Sequence, residues 1–546
     1  MYTLPKLERF NQDVLSKYHI YNSVFITLPF DSIDNTGVLL PLFTDVCDTG
    51  FKKLETPVEI VDFFTKKYLP TDSESDKIDL MFRFIQYIER QIVLFDAIED
   101  AAFPEVNNME GRGSLRDIKE KADNNNNQAE LTEFLENFNV RTVLTAHPTQ
   151  FYPGAVLGII NDLTDAIRKN NLLGIKQLLA QLGKTPFIQN EKPNPYDEAV
   201  SLIWYLENVF YETAGEMVHY LEKNLFNGNS INNPLIKLGF WPGGDRDGNP
   251  FVTTDITLKV ADRLRTSILK CYYIEMRNLK RKLTFSGVDT LVSELEQKLY
   301  RSVFYSKGEI FITLDEFKTQ LKKIRLIIVE QHQSLYVDQL DALLIKVNLF
   351  GFHFATLDIR QNSKIHDAVF KDVVNHYLKS DSAVFPANYF ELSEIEKFDI
   401  LSNVSGDLDP ASFENEMTNS TLGSIQAIKT IQQNNGEFGS NRYIISNNES
   451  ALNVMETFAL FKLCNWSAPT VDIIPLFESV DDLQNAHQIM EKLYTNPAYA
   501  KHLQERNNKQ TIMLGFSDGT KDGGYLMANW SIYKAKESLT EISRKY

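Results

Sequence analysis

From residue 141 onward, six short runs of apolar or β-branched residues each stop at side chains able to do acid-base, metal or anion chemistry. The runs are Arg141 to Thr145 before His147, Ile236 to Trp241 before Asp245-Arg246-Asp247, Phe350 to Ile359 before Arg360, Tyr443 to Ser446 before Asn447, Val471 to Phe477 before Glu478, and Thr511 to Phe516 before Asp518. Helical-looking sequence separates each run from the next. Strands alternating with helices predict a parallel sheet, and functional side chains at the carboxyl ends of successive strands are how an eight-stranded β/α barrel presents its site. The expected fold class is therefore α/β and predominantly helical: an incomplete β/α barrel of about six of the eight strands, carrying large helical insertions.

Ahead of the first strand, residues 1–138 are expected to form an N-terminal helical region. Ile78, Met81, Ile85, Ile88, Ile92 and Phe95 recur there at spacings of three and four. Such a stripe needs a packing partner, and Ser75 and Asp76 precede it as candidate caps. Asn107 to Gln128, with Gly111, Gly113 and Asn124 to Asn127, reads as an exposed loop. The remainder, 139–546, is expected to be the partial barrel, with helical insertions at 151–235, 254–345 and 363–439. A compact segment with Leu452, Met455, Ala459 and Leu463 on one face should join the fourth and fifth strands as an ordinary barrel helix.

Composition narrows the partners. With 56 Lys and Arg against 73 Asp and Glu, the formal charge is −17, which disfavours nucleic acid and anionic membranes. An anionic substrate would then need local positive charge. Cys47, Cys271 and Cys464 are widely spaced and lack CxxC pairing, so neither a disulfide framework nor a zinc site is suggested. Pro5, Lys6, Glu8 and Arg9 stand where a signal peptide would need an apolar core, and no stretch approaches membrane-span length. A cytoplasmic protein is expected.

Several clusters carry candidate chemistry. His147 lies where a strand opens into a loop stiffened by Pro148, and a histidine there is either a general base or a structural side chain satisfied by backbone. In Gly243-Gly244-Asp245-Arg246-Asp247-Gly248, the planar guanidinium of Arg246 suits a carboxylate or phosphate, or else a salt-bridged turn. The glycine spacing fits neither a dinucleotide fingerprint nor a Walker loop. The period-two rule sends Asp358 and Arg360 to one face of their strand and Leu357 and Ile359 to the other, giving an ion pair or an anion-binding arginine. His353 reads as core or supporting. Glu478 and Asp518 each end an apolar strand with a carboxylate, the donor type that Mg²⁺ or Mn²⁺ prefers; capping and a surface ion pair are the bland alternatives. Lys521 adds a cation, Gly523-Gly524 lead into a helix whose amides could face an anion, and Asp481 and Asp482 should begin the helix after the fifth strand.

Taken together, Val143 to Gln150, Gly243 to Thr253, Leu357 to Gln361, Pro475 to Leu483 and Phe516 to Trp530 resemble phosphoenolpyruvate carboxylase, in that family's order. The resemblance implies a TIM-type barrel wrapped in helices. It also implies carboxylation of phosphoenolpyruvate by bicarbonate to oxaloacetate and phosphate, with Mg²⁺ or Mn²⁺ as cofactor. By the same resemblance His147 and Lys521 are the catalytic candidates: His147 as general base on carboxyphosphate, Lys521 for electrostatic stabilisation. Arg360 and Arg246 are substrate-binding candidates, and Glu478 and Asp518 metal ligands.

Three departures stand out. Gln150-Phe151-Tyr152-Pro153 replaces the Glu and basic pair that often follow Pro148-Thr149 in the family. The basic, serine-containing phosphorylation motif of the plant enzymes is missing at the N-terminus. The glycine- and arginine-rich loop and C-terminal region that follow the lysine motif are also missing, so a truncated chain with little activity alone is expected, the full-length protein being a homotetramer. The alternatives are another metal-dependent barrel enzyme using phosphoenolpyruvate or pyruvate, and a non-catalytic helical scaffold with relic motifs.

Overall fold

In the computed structural model, residues 5–26, 36–69, 73–109, 111–145, 152, 154–187, 193–226, 228–231, 233, 235–305, 310–380 and 383–546 are described. Contacts divide the chain into two compact units, Met1–Gln128 with Pro148–Lys192 and Ala129–His147 with Pro193–Tyr546. The insertion expected at 151–235 is thus shared between them.

The first unit is helical. Its long helix Glu74–Val106 packs against Gly154–Arg168, which packs in turn on Leu172–Lys184. The face that this helix buries differs from the expected one. Phe84, Tyr87, Leu94, Ala97, Ile98 and Ala101 are buried, whereas Ile78, Ile85, Ile88 and Ile92 are 40–52% exposed. Apolar residues lie most of the way round this helix, so a three-four spacing fits two faces; the buried one has the aromatic side chains and the small alanines that admit a close neighbour. Arg90 is tolerated inside because its guanidinium donates to the carbonyls of Gln86, Leu182 and Thr185 at 2.8–3.1 Å and lies over the Phe187 ring. Ser75 and Asp76 fall within the first turn, with Ser73 at the cap position.

The expected loop at Asn107 to Gln128 instead contains a helix, Leu115–Asn125. It needs no apolar stripe. Ser114 Oγ accepts from Asp117 N at 3.1 Å, ion pairs join Arg116 to Glu120, Lys119 to Asp123 and Lys121 to Asp117, and Asn126 ends it in the left-handed region.

In the second unit seven strands are described: β1 Val140–Leu144, β2 Ile236–Phe240, β3 Thr356–Leu357, β4 Ile359–Asn362, β5 Arg442–Ser446, β6 Asp472–Phe477 and β7 Met513–Leu514. They pair in sequence order, always parallel, as β1-β2-β3 and β4-β5-β6-β7. All six expected strands are present, the third divided at Asp358 into β3 and β4. That third run starts later than its apolar character suggests, because Phe350 closes the helix Val337–Phe350 and Gly351, at φ 49°, turns the chain. The joining helix between the fourth and fifth runs is Ala451–Leu463. Among the described residues no helix is long and apolar enough to cross a membrane.

Period-two alternation splits the strand side chains. Leu238, Phe240 and Leu357 enter one core with the helices Thr254–Lys280 and Asp289–Phe304; Ile359, Tyr443, Ile445, Ile473 and Phe477 enter a second with Ala451–Leu463 and Val480–Thr495. On the other face Ile444, Ile474 and Leu476 pack with Trp241 and Met513 in a small apolar layer. Charged residues flank that layer at both strand ends.

Candidate active site

β2 ends in a tight turn, with Gly244 N and Asp245 N both donating to Trp241 O at 2.8 and 2.9 Å. The turn runs against the chain between β3 and β4. Arg360 N donates to Gly244 O at 3.0 Å and Arg246 N to Arg360 O at 2.9 Å, a strand-like pairing that sets Asp245 beside Arg360. Gly244 is required there, because a Cβ would overlap the Asp358 carbonyl oxygen.

From this crossing the Arg360 side chain points to carboxylates. Its Nη2 lies 2.8 Å from Asp247 Oδ2 and 3.5 Å from Glu478 Oε1, its Nη1 lies 3.7 Å from Asp245 Oδ2, and the guanidinium sits 5.4 Å from the Trp241 ring centre. Asn362 Nδ2 adds a bond to Asp247 Oδ1 at 3.3 Å. Arg360 Nε is buried without a hydrogen-bond partner among the described residues.

Glu478 follows the last residue of β6, and its Oε2 accepts from the backbone N–H of Asn447, just past β5, at 2.5 Å. Gly515, after β7, lets the next helix approach: a Cβ there would stand 3.0 Å from Glu478 Cγ. That helix, Phe516–Lys545, starts before Asp518 rather than after Gly523-Gly524, and Gly524, at φ 79°, kinks it. Asp518 comes within hydrogen-bonding reach of Glu478, and Lys521 pairs with Asp518 at 2.7 Å from an otherwise exposed position. Val480 N, at the start of the helix Val480–Thr495 that follows β6, donates to Asp522 Oδ2 at 2.9 Å, and Asp481 and Asp482 lie in the first turn of that helix, as expected.

The electrostatics follow from this crowding. Burial pushes the Glu478 carboxyl above its ordinary range; the Asn447 N–H and Arg360 pull it down, while Asp518 and Asp247 push it further up. Asp518 is held below its ordinary range chiefly by its bond to Lys521, whose own pKa that bond raises. Four carboxylates, Asp245, Asp247, Glu478 and Asp518, face two cations, Arg360 and Lys521, leaving a local surplus of two negative charges. Among the described residues no group of three or more His, Cys, Asp or Glu is arranged to hold a metal ion. The all-oxygen Glu478–Asp518 pair, with its negative surplus, does fit a divalent cation that takes its other ligands from water and substrate.

The structure therefore brings together Arg360, Glu478, Asp518 and Lys521. Arg246 points elsewhere: its Nη1 donates to Ser420 O at 2.8 Å and its Nη2 bonds Ser420 Oγ, within the packing of helix Glu416–Asn435. His147, with Gln150 and Phe151, lies outside the described residues; β1, which leads toward it, ends at Leu144, whose carbonyl accepts from Trp241 N at 3.0 Å. His353 sits against Phe438, with ring centres 6.0 Å apart. A cavity of about 520 Å³ in the first unit, lined by Asp100, Asn161 and Arg168 among others, holds none of these residues.

Sequence reasoning weighed Arg246 and passed over its neighbours. Asp247 and Asp245 hold Arg360, and period two would have marked them, since residues 245 and 247 share a face that 246 does not. Asn447 contributes a backbone N–H, which no side-chain pattern announces. Asp358, expected as a partner for Arg360, instead takes Arg141 at 2.5 Å and Trp241 Nε1 at 3.1 Å.

The model of the phosphoenolpyruvate carboxylase family matches this chain over residues 96–304 and 292–546.

Proposed function

The chain belongs to the phosphoenolpyruvate carboxylase family, and from that premise we propose that it takes part in carboxylating phosphoenolpyruvate with bicarbonate, giving oxaloacetate and phosphate, at the carboxyl ends of β2, β4, β6 and β7. The observation that carries this reading is the meeting of Arg360, Glu478, Asp518 and Lys521 from segments far apart in sequence. Functional groups at the carboxyl ends of parallel strands suit an arc of a β/α barrel.

In this reading Arg360 offers its planar donor fork to the substrate's phosphate or carboxylate, oriented by Asp247 and screened on one side by Trp241. Lys521, exposed and paired with Asp518, stabilises negative charge on the transferring phosphoryl group and the enolate. His147 takes the proton from carboxyphosphate, formed when a bicarbonate oxygen displaces the enolate from phosphorus; loss of carbon dioxide then leaves phosphate, and the enolate carbon attacks the carbon dioxide. Glu478 and Asp518 would hold Mg²⁺ or Mn²⁺, which when bound supplies Lewis-acid stabilisation of enolate charge.

The test couples oxaloacetate to NADH oxidation through malate dehydrogenase, with and without bicarbonate, while Mn²⁺ binding to the same chain is followed by electron paramagnetic resonance. Bicarbonate-dependent oxaloacetate, and Mn²⁺ binding weakened in Glu478→Gln and Asp518→Asn, support the reading. Phosphoenolpyruvate consumption that ignores bicarbonate, or Mn²⁺ binding indifferent to both substitutions, sinks it.

A further inference from the structure

The opposite, amino-terminal ends of the same strands carry a second charged cluster that the carboxylation reading does not use. Arg141 of β1 stands in register beside Lys237 of β2, and Arg442 opens β5 beside Asp472 of β6. By alternation all four project on the face of Ile444 and Ile474, below that apolar layer.

These cations have too few acids. Asp358, 2% exposed, takes Arg141 and Trp241 and lies 3.8 Å from Arg442 Nε, so its hydrogen-bonding capacity is largely spent. Arg506 holds Asp472 at 2.8 Å and reaches Glu437 at 2.7 Å. Arg442 is left with 3.5 Å to Thr511 Oγ1 and 3.8 Å to Asp472. The Nε atoms of Arg141 and Arg442 are buried with no hydrogen-bond partner among the described residues. Lys237, half-buried, makes no ion pair among the described residues; Lys509, Arg141 and Arg442 act on it as like charges, against the weaker attraction of Asp472. Five cations, Arg141, Lys237, Arg442, Arg506 and Lys509, thus meet three acids, Asp358, Asp472 and Glu437. A surplus of two positive charges partly out of water, with unmet N–H donors, is strongly unfavourable unless an anion supplies the missing acceptors.

We propose that this end of the sheet is a binding site for a small, doubly charged oxyanion of the phosphate or sulfate type, held by Lys237, Arg442 and the Arg141 Nε–H, with Thr511 at its edge. Guanidinium forks match the oxygens of a tetrahedral oxyanion, the ammonium of Lys237 adds a point charge, and the ligand's two charges equal the surplus. Exposed Lys509 and Val140 mark the way in from solvent. The site does not depend on the carboxylation reading.

Inorganic phosphate titrated into the 546-residue chain at constant ionic strength, followed by calorimetry and by thermal melting, tests it. Saturable binding is expected. Lys237→Gln and Arg442→Gln should each weaken it at least about tenfold, the loss of one charge-assisted contact. Lys371→Gln, an exposed lysine paired with Asp367 outside both charged clusters, should leave it unchanged. Sulfate should compete and nitrate, with one charge, should not. Lys237 is half-exposed, so its variant should keep the wild-type circular dichroism even if Arg442→Gln does not fold. Absence of saturation, equal affinity in Lys237→Gln, loss in Lys371→Gln, or equal competition by nitrate would each overturn the proposal.

Discussion

Arg360 Nη2 lies 2.8 Å from Asp247 Oδ2, a contact between residues 113 apart in the chain that ties the turn after β2 to β4. The bond fixes where the guanidinium can point. Without it, Arg360 would be steered by Glu478 at 3.5 Å and Asp245 at 3.7 Å, both longer contacts.

Asp247→Asn should therefore misdirect Arg360 without unfolding the site. In the coupled assay we expect kcat/KM for phosphoenolpyruvate to fall by about 10- to 100-fold, the cost of a displaced positioning contact. Stability in urea should change by no more than about 1 kcal/mol, because the pair is partly solvated and water can take up the freed guanidinium donor. Unaltered kinetics would show that Asp247 does not orient Arg360.

Asp358 does the opposite work. It is 2% exposed and accepts from Arg141 and Trp241, so Asp358→Ala leaves a half-buried guanidinium and an indole N–H without their acceptor. A loss of about 3–5 kcal/mol is expected from urea denaturation, with Asp358→Asn intermediate because the amide oxygen still accepts. A change below about 1 kcal/mol would mean that water replaces the carboxylate there.

The contrast between these two aspartates shows how far the sequence could be read. Alternation placed Asp358 and Arg360 on one face correctly, since that depends only on strand pleat. It could not tell that Arg360 pairs with Asp247 rather than with Asp358, because that depends on the turn after β2 crossing over at Gly244. The six strands were legible because each is a short apolar run closed by polar residues. The buried face of Glu74–Val106 was not, since both of its apolar stripes have helical spacing and only the packing partner chooses between them. Leu115–Asn125 escaped because capping and ion pairs, rather than apolar periodicity, define it. Among the site residues, Glu478, Asp518 and Lys521 stand together at strand ends as strand order suggests, while Arg246 is turned to Ser420 by the same alternation that turns Asp247 to Arg360.

Gly244 is the hinge of that crossing. In Gly244→Ala the added methyl overlaps the Asp358 carbonyl oxygen, so the turn must withdraw and its bonds to Arg360 N and from Arg246 N to Arg360 O lengthen. We expect destabilisation of about 2–4 kcal/mol together with loss of activity, as for an overpacked buried contact. Gly248→Ala, where a Cβ meets open space but φ is 69°, should cost only about 1 kcal/mol of backbone strain and leave Arg360 in place. Equal effects of the two substitutions in urea denaturation would remove the steric argument.

His366 makes stability depend on pH. It is fully buried, its ring lies 5.4 Å from that of Tyr443, and neither ring nitrogen has a hydrogen-bond partner among the described residues. Burial first, and the positive charge of Arg246 second, push its pKa down to about 3 from the ordinary 6.5. The unfolded chain therefore binds this proton more readily than the folded one, so the neutral ring's contribution is intact above the unfolded pKa and lost as pH falls from there toward the folded value. Between about pH 7 and about pH 5.5, His366 alone should remove about 1 kcal/mol of stability. His502, pushed down to about 4 by burial and then by Arg506, acts in the same direction. Urea denaturation at the two pH values should show His366→Leu losing about 1 kcal/mol less than the wild type on acidification, whatever its stability at neutral pH. An unchanged pH dependence in that variant would mean that the native imidazole already takes up its proton at ordinary pH, and that the pocket beside Tyr443 and Arg246 is open to water.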